Sequence, residues 1–267
     1  MVNPAPLYLI LLVTFLISGC LSAQPLKIVC HEFAPFSYRE QNQKITGILV
    51  EITRLACQDW PQGCEIELLP NKRAKQQFSQ GLAQGHFQGW NEERALTTWF
   101  SIPLLQTEYG FYSPLTRPLT DLRQTPGKSI GTFGPSNTLS SLMRLDSRQV
   151  RLGFPPINIM LASSGDEQPL KMLQKRRFDA YYVNKEVGAY YAKQLGMDDL
   201  YYLSSGQPIH YFIGFKMLHN DYETIKAFNH LLLKLYRAHR FDALLAQWGM
   251  QASPLLPAEF SDLNIPY

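Results

Sequence analysis

The spacing of apolar and polar residues predicts alternating strands and helices along most of the chain. Lys27 to Cys30 is a short strand candidate, and Ile48, Leu49, Ile52, Leu55 and Ala56 recur at helical spacing. Glu65 to Leu69 alternates as a strand ended by Pro70, and Lys72 to Ala83 has helical composition. That β-α-β-α succession predicts an α/β layer with a mainly parallel sheet. Pro114, Pro118, Pro126 and Gly127 then punctuate a polar stretch that reads as a boundary. Beyond it, Ser129 to Phe133 predicts a strand, Thr138 to Leu145 and Pro169 to Gln174 helices, Phe178 to Val183 a strand and Glu186 to Leu195 a helix. Tyr201 to Leu203 is a further strand candidate, and Ile213 to Phe215 with the amphipathic segment Tyr222 to Arg237 returns to a different context. The pattern describes two α/β lobes without low-complexity segments or short repeats.

The first 23 residues bear on the compartment. Leu7 to Ile17 is apolar apart from Tyr8 and Thr14 and is followed by Ser18 and Gly19. A membrane-spanning helix needs about 20 residues, so this shorter run reads as the core of a secretion signal. Ile17-Ser18-Gly19-Cys20 resembles a lipobox, in which Cys20 would be acylated, whereas cleavage after Ala23 would release a soluble protein. The expected location is therefore the periplasm, with the protein either soluble or tethered through Cys20.

Charge and cysteine content narrow the function classes. The net charge is +3, and the one strong basic cluster, Lys171 to Arg177, reads as a solvated helix end rather than a nucleic-acid stripe. Cys57 and Cys64 flank a turn-rich segment between a helix and a strand, where export would favour a disulfide. Cys30 reads as a small buried apolar residue. No CxxC or HxxxH pair suggests a metal, and no cofactor is expected.

Specific residues then resemble a family. His31-Glu32-Phe33-Ala34-Pro35-Phe36-Ser37-Tyr38, followed by Thr46-Gly47-Ile48-Leu49-Val50-Glu51, looks like the opening of the family 3 periplasmic solute-binding proteins, the polar amino acid receptors of ABC importers. Pro70-Asn71-Lys72-Arg73-Ala74 resembles a Pro-Trp-Lys-Arg-Ala run of one branch. Glu93-Arg94 followed by Phe100-Ser101-Ile102-Pro103 resembles the Thr-Pro-Glu-Arg and Phe-Ser-x-Pro pair, and Arg177-Phe178-Asp179-Ala180 a second-lobe strand start.

The resemblance implies a periplasmic binding protein type II-like fold, with two α/β lobes joined by a two-strand hinge and a ligand cleft between them. Residues 27–112 plus 213–267 would form the first lobe and 113–212 the second, with hinges near Tyr112 and Phe212. The implied activity is hinge closure on a small polar carboxylate by a monomer that delivers it to an ABC permease or reports to a membrane receptor.

It also implies a ligand set. Arg94 would grip a carboxylate, since a planar guanidinium meets two oxygens at once. Phe33 would lie against the ligand side chain. Arg73 would face the cleft, with Lys72 a solvated neighbour. Phe133, Ser136 and Asn137 belong to the strand-turn-helix Gly131 to Thr138, whose free backbone N–H groups can hold an anion.

Two departures stand out. Asn184 occupies the place of an aspartate that pairs with a ligand ammonium, which weighs against a free α-amino acid as ligand. The stretch His86 to Glu92 is short and carries Gln88 in place of an aspartate, with Trp90 as a possible stacking surface or core residue.

Enzyme signatures are missing: there is no Gly-x-Ser-x-Gly elbow, phosphate loop or GxGxxG. The best acid-base candidate is His31 beside Glu32, which would suit a dehydratase of the same fold. The expectation is a binding protein.

Overall fold

The computed structural model describes residues 24–162 and 165–255. The expected signal segment, Cys20 and the last part of the expected first lobe lie outside them. No helix among the described residues is long and apolar enough to cross a membrane.

The first half begins with strand β1 (Leu26–Cys30), the small hairpin β2 (Tyr38–Arg39) and β3 (Ile45–Thr46), and helix α1 (Ile48–Gln58). Strand β4 (Cys64–Leu68), α2 (Asn71–Ser79), β5 (Gly85–Gly89), the short α3 (Glu92–Ala95) and β6 (Thr98–Phe100) follow. The long β7 (Leu105–Pro114) leads into the second half, made of β8 (Ser129–Phe133), α4 (Asn137–Arg151), β9 (Asn158–Ala162), α5 (Glu167–Gln174), β10 (Ala180–Asn184) and α6 (Lys185–Gln194). Strand β11 (Leu200–Lys216) returns to the first half, which ends with α7 (Tyr222–Arg237) and α8 (Asp242–Gln247).

One sheet runs through both halves in the order β4-β1-β5-β11-β7-β10-β8-β9, with β6 beside β11. It is mixed rather than mainly parallel. Strands β1, β4 and β5 are mutually parallel, as are β8, β9 and β10, while every antiparallel pairing in it involves β7 or β11. The parallel layers are the βαβ units that the pattern predicts. The antiparallel strands are the two connections that carry the chain between them.

Those connections share a break. Ser204 pairs with Gly110 but Pro208 with Glu108, so Ser205, Gly206 and Gln207 bulge out of the ladder, with Gly206 at φ 75°. Tyr112 pairs with Tyr181 and Tyr202 inside the second half, and Phe212 with Gln88 inside the first. The bulge thus falls between the two expected crossings.

Helices cover both faces. In the first half α1 and α7 pack on one face, where Ile48, Ile52, Phe215 and Phe228 are fully buried and Trp60 meets the Phe228 ring edge-on at 5.3 Å. Burying such a ring contributes about 1.5–3 kcal/mol. On the opposite face α2 buries Ala74 and Phe78 against Val29. In the second half α4 sets Leu142 and Leu145 on Ile130 and Tyr182, and α5 and α6 bury Leu170, Leu173 and Val187.

Cys57 and Cys64 form a disulfide across the turn between α1 and β4, with Cα atoms 5.4 Å apart. Cys30 is a free, buried thiol whose pKa burial pushes up to about 12, in keeping with an apolar role. Lys171 pairs with Glu167 at 2.5 Å, and Lys175, Arg176 and Arg177 are exposed past the end of α5.

Candidate functional site

The carboxyl ends of β1 and β5 meet the carboxyl ends of β8 and β10, the edge at which open α/β sheets carry ligands. Four segments converge there.

The first is the turn after β1. The Phe33 N–H donates to the Ser37 carbonyl at 2.7 Å, and the Ser37 hydroxyl donates to the His31 carbonyl at 2.9 Å. This turn is fastened to α1, whose Ile48 and Leu49 N–H groups donate to the Pro35 and Phe36 carbonyls, each at 3.1 Å. Gly47 makes the approach possible: it sits at φ 118°, and a Cβ there would lie 2.4 Å from the Phe36 oxygen. The half-buried Phe33 ring stacks on Phe36 at 5.0 Å and meets Tyr211 of β11 edge-on at 5.7 Å.

The second segment carries Arg94. Asn91 caps the single turn of α3 by accepting the Arg94 N–H at 2.8 Å, and Arg94 Nη1 donates to the Gly89 carbonyl at 2.6 Å. A guanidinium has five N–H donors. Yet among the described residues Arg94 forms no ion pair. Burial lowers its pKa, only partly offset by Tyr109, Glu93 and Tyr211. The segment that follows Arg94 is fixed from behind: Ile102 N–H donates to Asn229 Oδ1 at 2.9 Å, Asn229 Nδ2 donates to the Phe100 carbonyl at 3.1 Å, and Ser101 Oγ accepts the Ile213 N–H at 2.9 Å.

The third is the start of α4. Ser136 caps the helix, accepting the Leu139 N–H at 3.1 Å and donating to the Phe133 carbonyl at 2.6 Å. The next residue joins the halves: Asn91 Nδ2 donates to Asn137 Oδ1 at 3.2 Å. Phe133 is half-buried at the end of β8.

The fourth is the start of α6. Asn184 is buried, and both acceptor positions of its amide oxygen are filled: Oδ1 accepts the Glu186 and Val187 N–H groups at 3.0 and 3.2 Å, and Nδ2 donates to Thr107 Oγ1 at 3.0 Å. The Thr107 hydroxyl in turn donates to Glu186 Oε2. Burial raises the pKa of Glu186, against the lowering effect of Thr107.

The structure thus gathers Phe33, Arg94, Asn137 and Asn184 around one edge. Arg73 is exposed on α2, next to equally exposed Lys72. Trp90 packs against Phe100 and Phe212, and its Nε1 has no partner. The expected His31–Glu32 pair does not form: Glu32 is exposed and accepts the Arg39 N–H at 3.3 Å. His31 instead stacks on Phe33 at 5.8 Å and on His86 at 5.9 Å. Burial, then Lys75 and Arg94, lowers the pKa of His31 to about 4; burial, then His31, lowers that of His86 to about 3. Both imidazoles are therefore neutral, and His31 Nδ1 and His86 Nε2 lack partners.

Tyr109, Tyr211, His86 and Glu186 were not anticipated as cleft residues. The two-residue alternation of Tyr211, Ile213 and Phe215 is a strand signal that could have placed Tyr211; nothing local marks the others. Among the described residues no group of three or more His, Cys, Asp or Glu side chains converges as a metal site.

Two halves that share a pair of long strands, with a half-buried arginine at the edge where they meet that forms no ion pair among the described residues, have the two-lobed architecture of the type II periplasmic binding proteins. Solved structures carry the same fold. A histidine kinase sensor domain with similarity to periplasmic binding proteins aligns with TM-score 0.73 at 18% identity, over 86% of this chain and 99% of that one. A structure from work on glutathione import via GshT and the cystine ABC importer TcyBC of Streptococcus mutans aligns with TM-score 0.74 at 16% identity, over 86% and 97%. A histidine-bound ABC uptake transporter substrate-binding protein from Streptococcus pneumoniae aligns with TM-score 0.70 at 14% identity, over 84% and 92%. No curated protein matches the sequence. Residues 26–251 match the bacterial extracellular solute-binding proteins, family 3, and the chain belongs to that family.

Proposed function

We propose that this protein captures a small carboxylate outside the cytoplasm and delivers it to an ABC importer, closing around the ligand at the bulged crossing of β7 and β11. The observation that carries the reading is Arg94. A half-buried guanidinium with a carbonyl partner and, among the described residues, no carboxylate partner is desolvated with little compensation, and an anionic ligand supplies what it lacks. Phe33 and Tyr211 offer ring faces and edges beside it, and the Asn91–Asn137 bond is a contact between the lobes that closure would make. With the crossing set at the bulge, residues 27–108 and 208–255 serve as the first lobe and 109–207 as the second, in place of the expected division near 112 and 212. Arg73, Trp90, Phe133 and Ser136 act at the margins of this site, Ser136 through the helix it caps.

Binding rather than turnover fits the neutral, unpaired His31, which lacks the carboxylate an acid-base dyad needs. A second reading, ligand sensing through a membrane partner, draws on the likeness to the kinase sensor domain.

A thermal-shift screen of the purified protein tests the proposal, with L-amino acids, dicarboxylates, aromatic acids, polyamines and neutral sugars as ligands. A carboxylate at 100 times its dissociation constant should stabilise the fold by about 2.7 kcal/mol, whereas polyamines and sugars should have no effect. Stabilisation by a polyamine alone would overturn the carboxylate reading. Uptake of the identified ligand by cells lacking this protein separates transport from sensing.

A further inference from the structure

The engagement of Asn184 has a counterpart two residues along the chain. With its Oδ1 held by two backbone N–H groups and one Nδ2 hydrogen given to Thr107, the amide has no acceptor left for a ligand cation. It does, however, set the direction of the next bond: because Asn184 donates to Thr107 Oγ1, the threonine hydroxyl is free to donate onward, and it does so to Glu186 Oε2. An aspartate at position 184 would draw that hydroxyl to itself. With asparagine there, the negative charge at this corner sits on Glu186.

Glu186 lies in the first turn of α6, at the carboxyl end of β10 and therefore at the ligand edge of the sheet. It is half-buried and, among the described residues, forms no ion pair; the neighbouring Lys185 approaches Glu108 instead, at 4.0 Å. Glu108 also accepts a hydrogen bond from Ser204 beside the bulge. A carboxylate has about four acceptor positions, and Thr107 fills one of them. Strand β11 links the two: Thr107, which donates to Glu186, pairs with Ile209, and two residues on Tyr211 pairs with Gly89, whose carbonyl accepts from Arg94. Two half-buried groups of opposite sign, one from each half and neither ion-paired among the described residues, are thus tied to the same short stretch of β11.

We propose that Glu186 is a specificity-determining residue, whose carboxylate receives a cationic group of the ligand while Arg94 holds its carboxylate. The ligand class is then zwitterionic, despite the neutral residue at position 184. This inference rests on the carboxylate-capture reading and narrows it.

Matched ligand pairs test it: L-alanine with L-lactate, L-glutamate with L-2-hydroxyglutarate and L-phenylalanine with L-phenyllactate, titrated calorimetrically. The protein should prefer the amino acid of at least one pair by about tenfold or more, the usual scale for a charge-assisted bond. Glu186→Gln, which keeps the shape, should abolish that preference by weakening amino-acid binding more than hydroxy-acid binding. Asn184→Asp placed on the Glu186→Gln background should restore it, since aspartate caps a helix as well as asparagine does and returns the charge to the same corner. Thermal melts confirm that each variant folds. A preference that survives Glu186→Gln, or is absent from the parent protein, overturns the assignment while carboxylate capture stands; if the double variant stays indiscriminate, charge is not the cause and the assignment also falls. Failure of all six acids to bind, with the wider screen also silent for carboxylates, overturns both readings.

Discussion

Asn229 and Ile102 are 127 residues apart in sequence and 2.9 Å apart in space, the amide oxygen of one accepting the backbone N–H of the other. Asn229 is buried on α7 and also donates to the Phe100 carbonyl, so one side chain satisfies two backbone groups of the segment that follows Arg94. Asn229→Ala should strand both and cost about 2–4 kcal/mol. Urea unfolding measures it, and a loss below about 0.5 kcal/mol would mean that water replaces the amide.

Arg94→Met separates binding from stability. Affinity for the carboxylate found in the screen should fall by about 2–5 kcal/mol, as on removal of one partner of a buried charge pair. The melting temperature of the unliganded protein should hold or rise, because the variant removes a half-buried cation that has no counter-ion among the described residues. Calorimetry and melting on the same sample read both, and unchanged affinity would remove Arg94 from the site.

The stacked pair of His31 and His86 predicts acid sensitivity. Their folded-state pKa values, about 4 and about 3, lie below the ordinary 6.5, so the unfolded chain binds protons first as the pH falls. Stability that is present above about pH 6.5 should decline from there to about pH 3, by on the order of several kcal/mol. His86→Leu should flatten that slope in a series of urea midpoints against pH. A parent protein with no slope over the range would show that the pair is hydrated or protonated in the fold.

Reduction isolates the Cys57–Cys64 bond, because Cys30 is buried and its thiol is held up near 12. A reductant should lower stability by about 2–3 kcal/mol, mainly through the freed unfolded chain. A Cys57→Ser, Cys64→Ser double variant should be insensitive to it; if the parent protein is equally insensitive, the bond is not present in solution.

Local pattern carried much of the architecture. Ser129–Phe133 and Tyr222–Arg237 occur where periodicity predicts them, since both bury one regular face. Helix α2 stops at Ser79 instead of Ala83 because Gly81 adopts φ 74°. The pattern yielded only Tyr201–Leu203 and Ile213–Phe215 of the 17-residue β11, whose middle contains the exposed, polar bulge and breaks the alternation. At the proposed site, Arg94 and Phe33 stand out in the sequence because their motifs are contiguous. Glu186 does not, as its hydrogen bond comes from Thr107, 79 residues earlier in the chain. Asn229 was hidden for the same reason: a polar residue within an amphipathic helix gives no sign of the loop it braces.

The return of β11 to the middle of the sheet also predicts an order of assembly. Tyr211 to Phe215 lie between β5 and the rest of the sheet, so the first lobe cannot close its hydrogen-bonded ladder until residues near the end of the chain are present. The second lobe is contiguous, and Leu200 pairs directly with Pro114 where its strand enters and leaves. A chain emerging from a ribosome or a membrane channel could complete that insert while residues 26–105 still waited for a partner. Pulse-labelled hydrogen exchange during refolding should therefore find β8 and β10 protected before β1 and β5, and simultaneous protection would mean that the lobes fold as one unit.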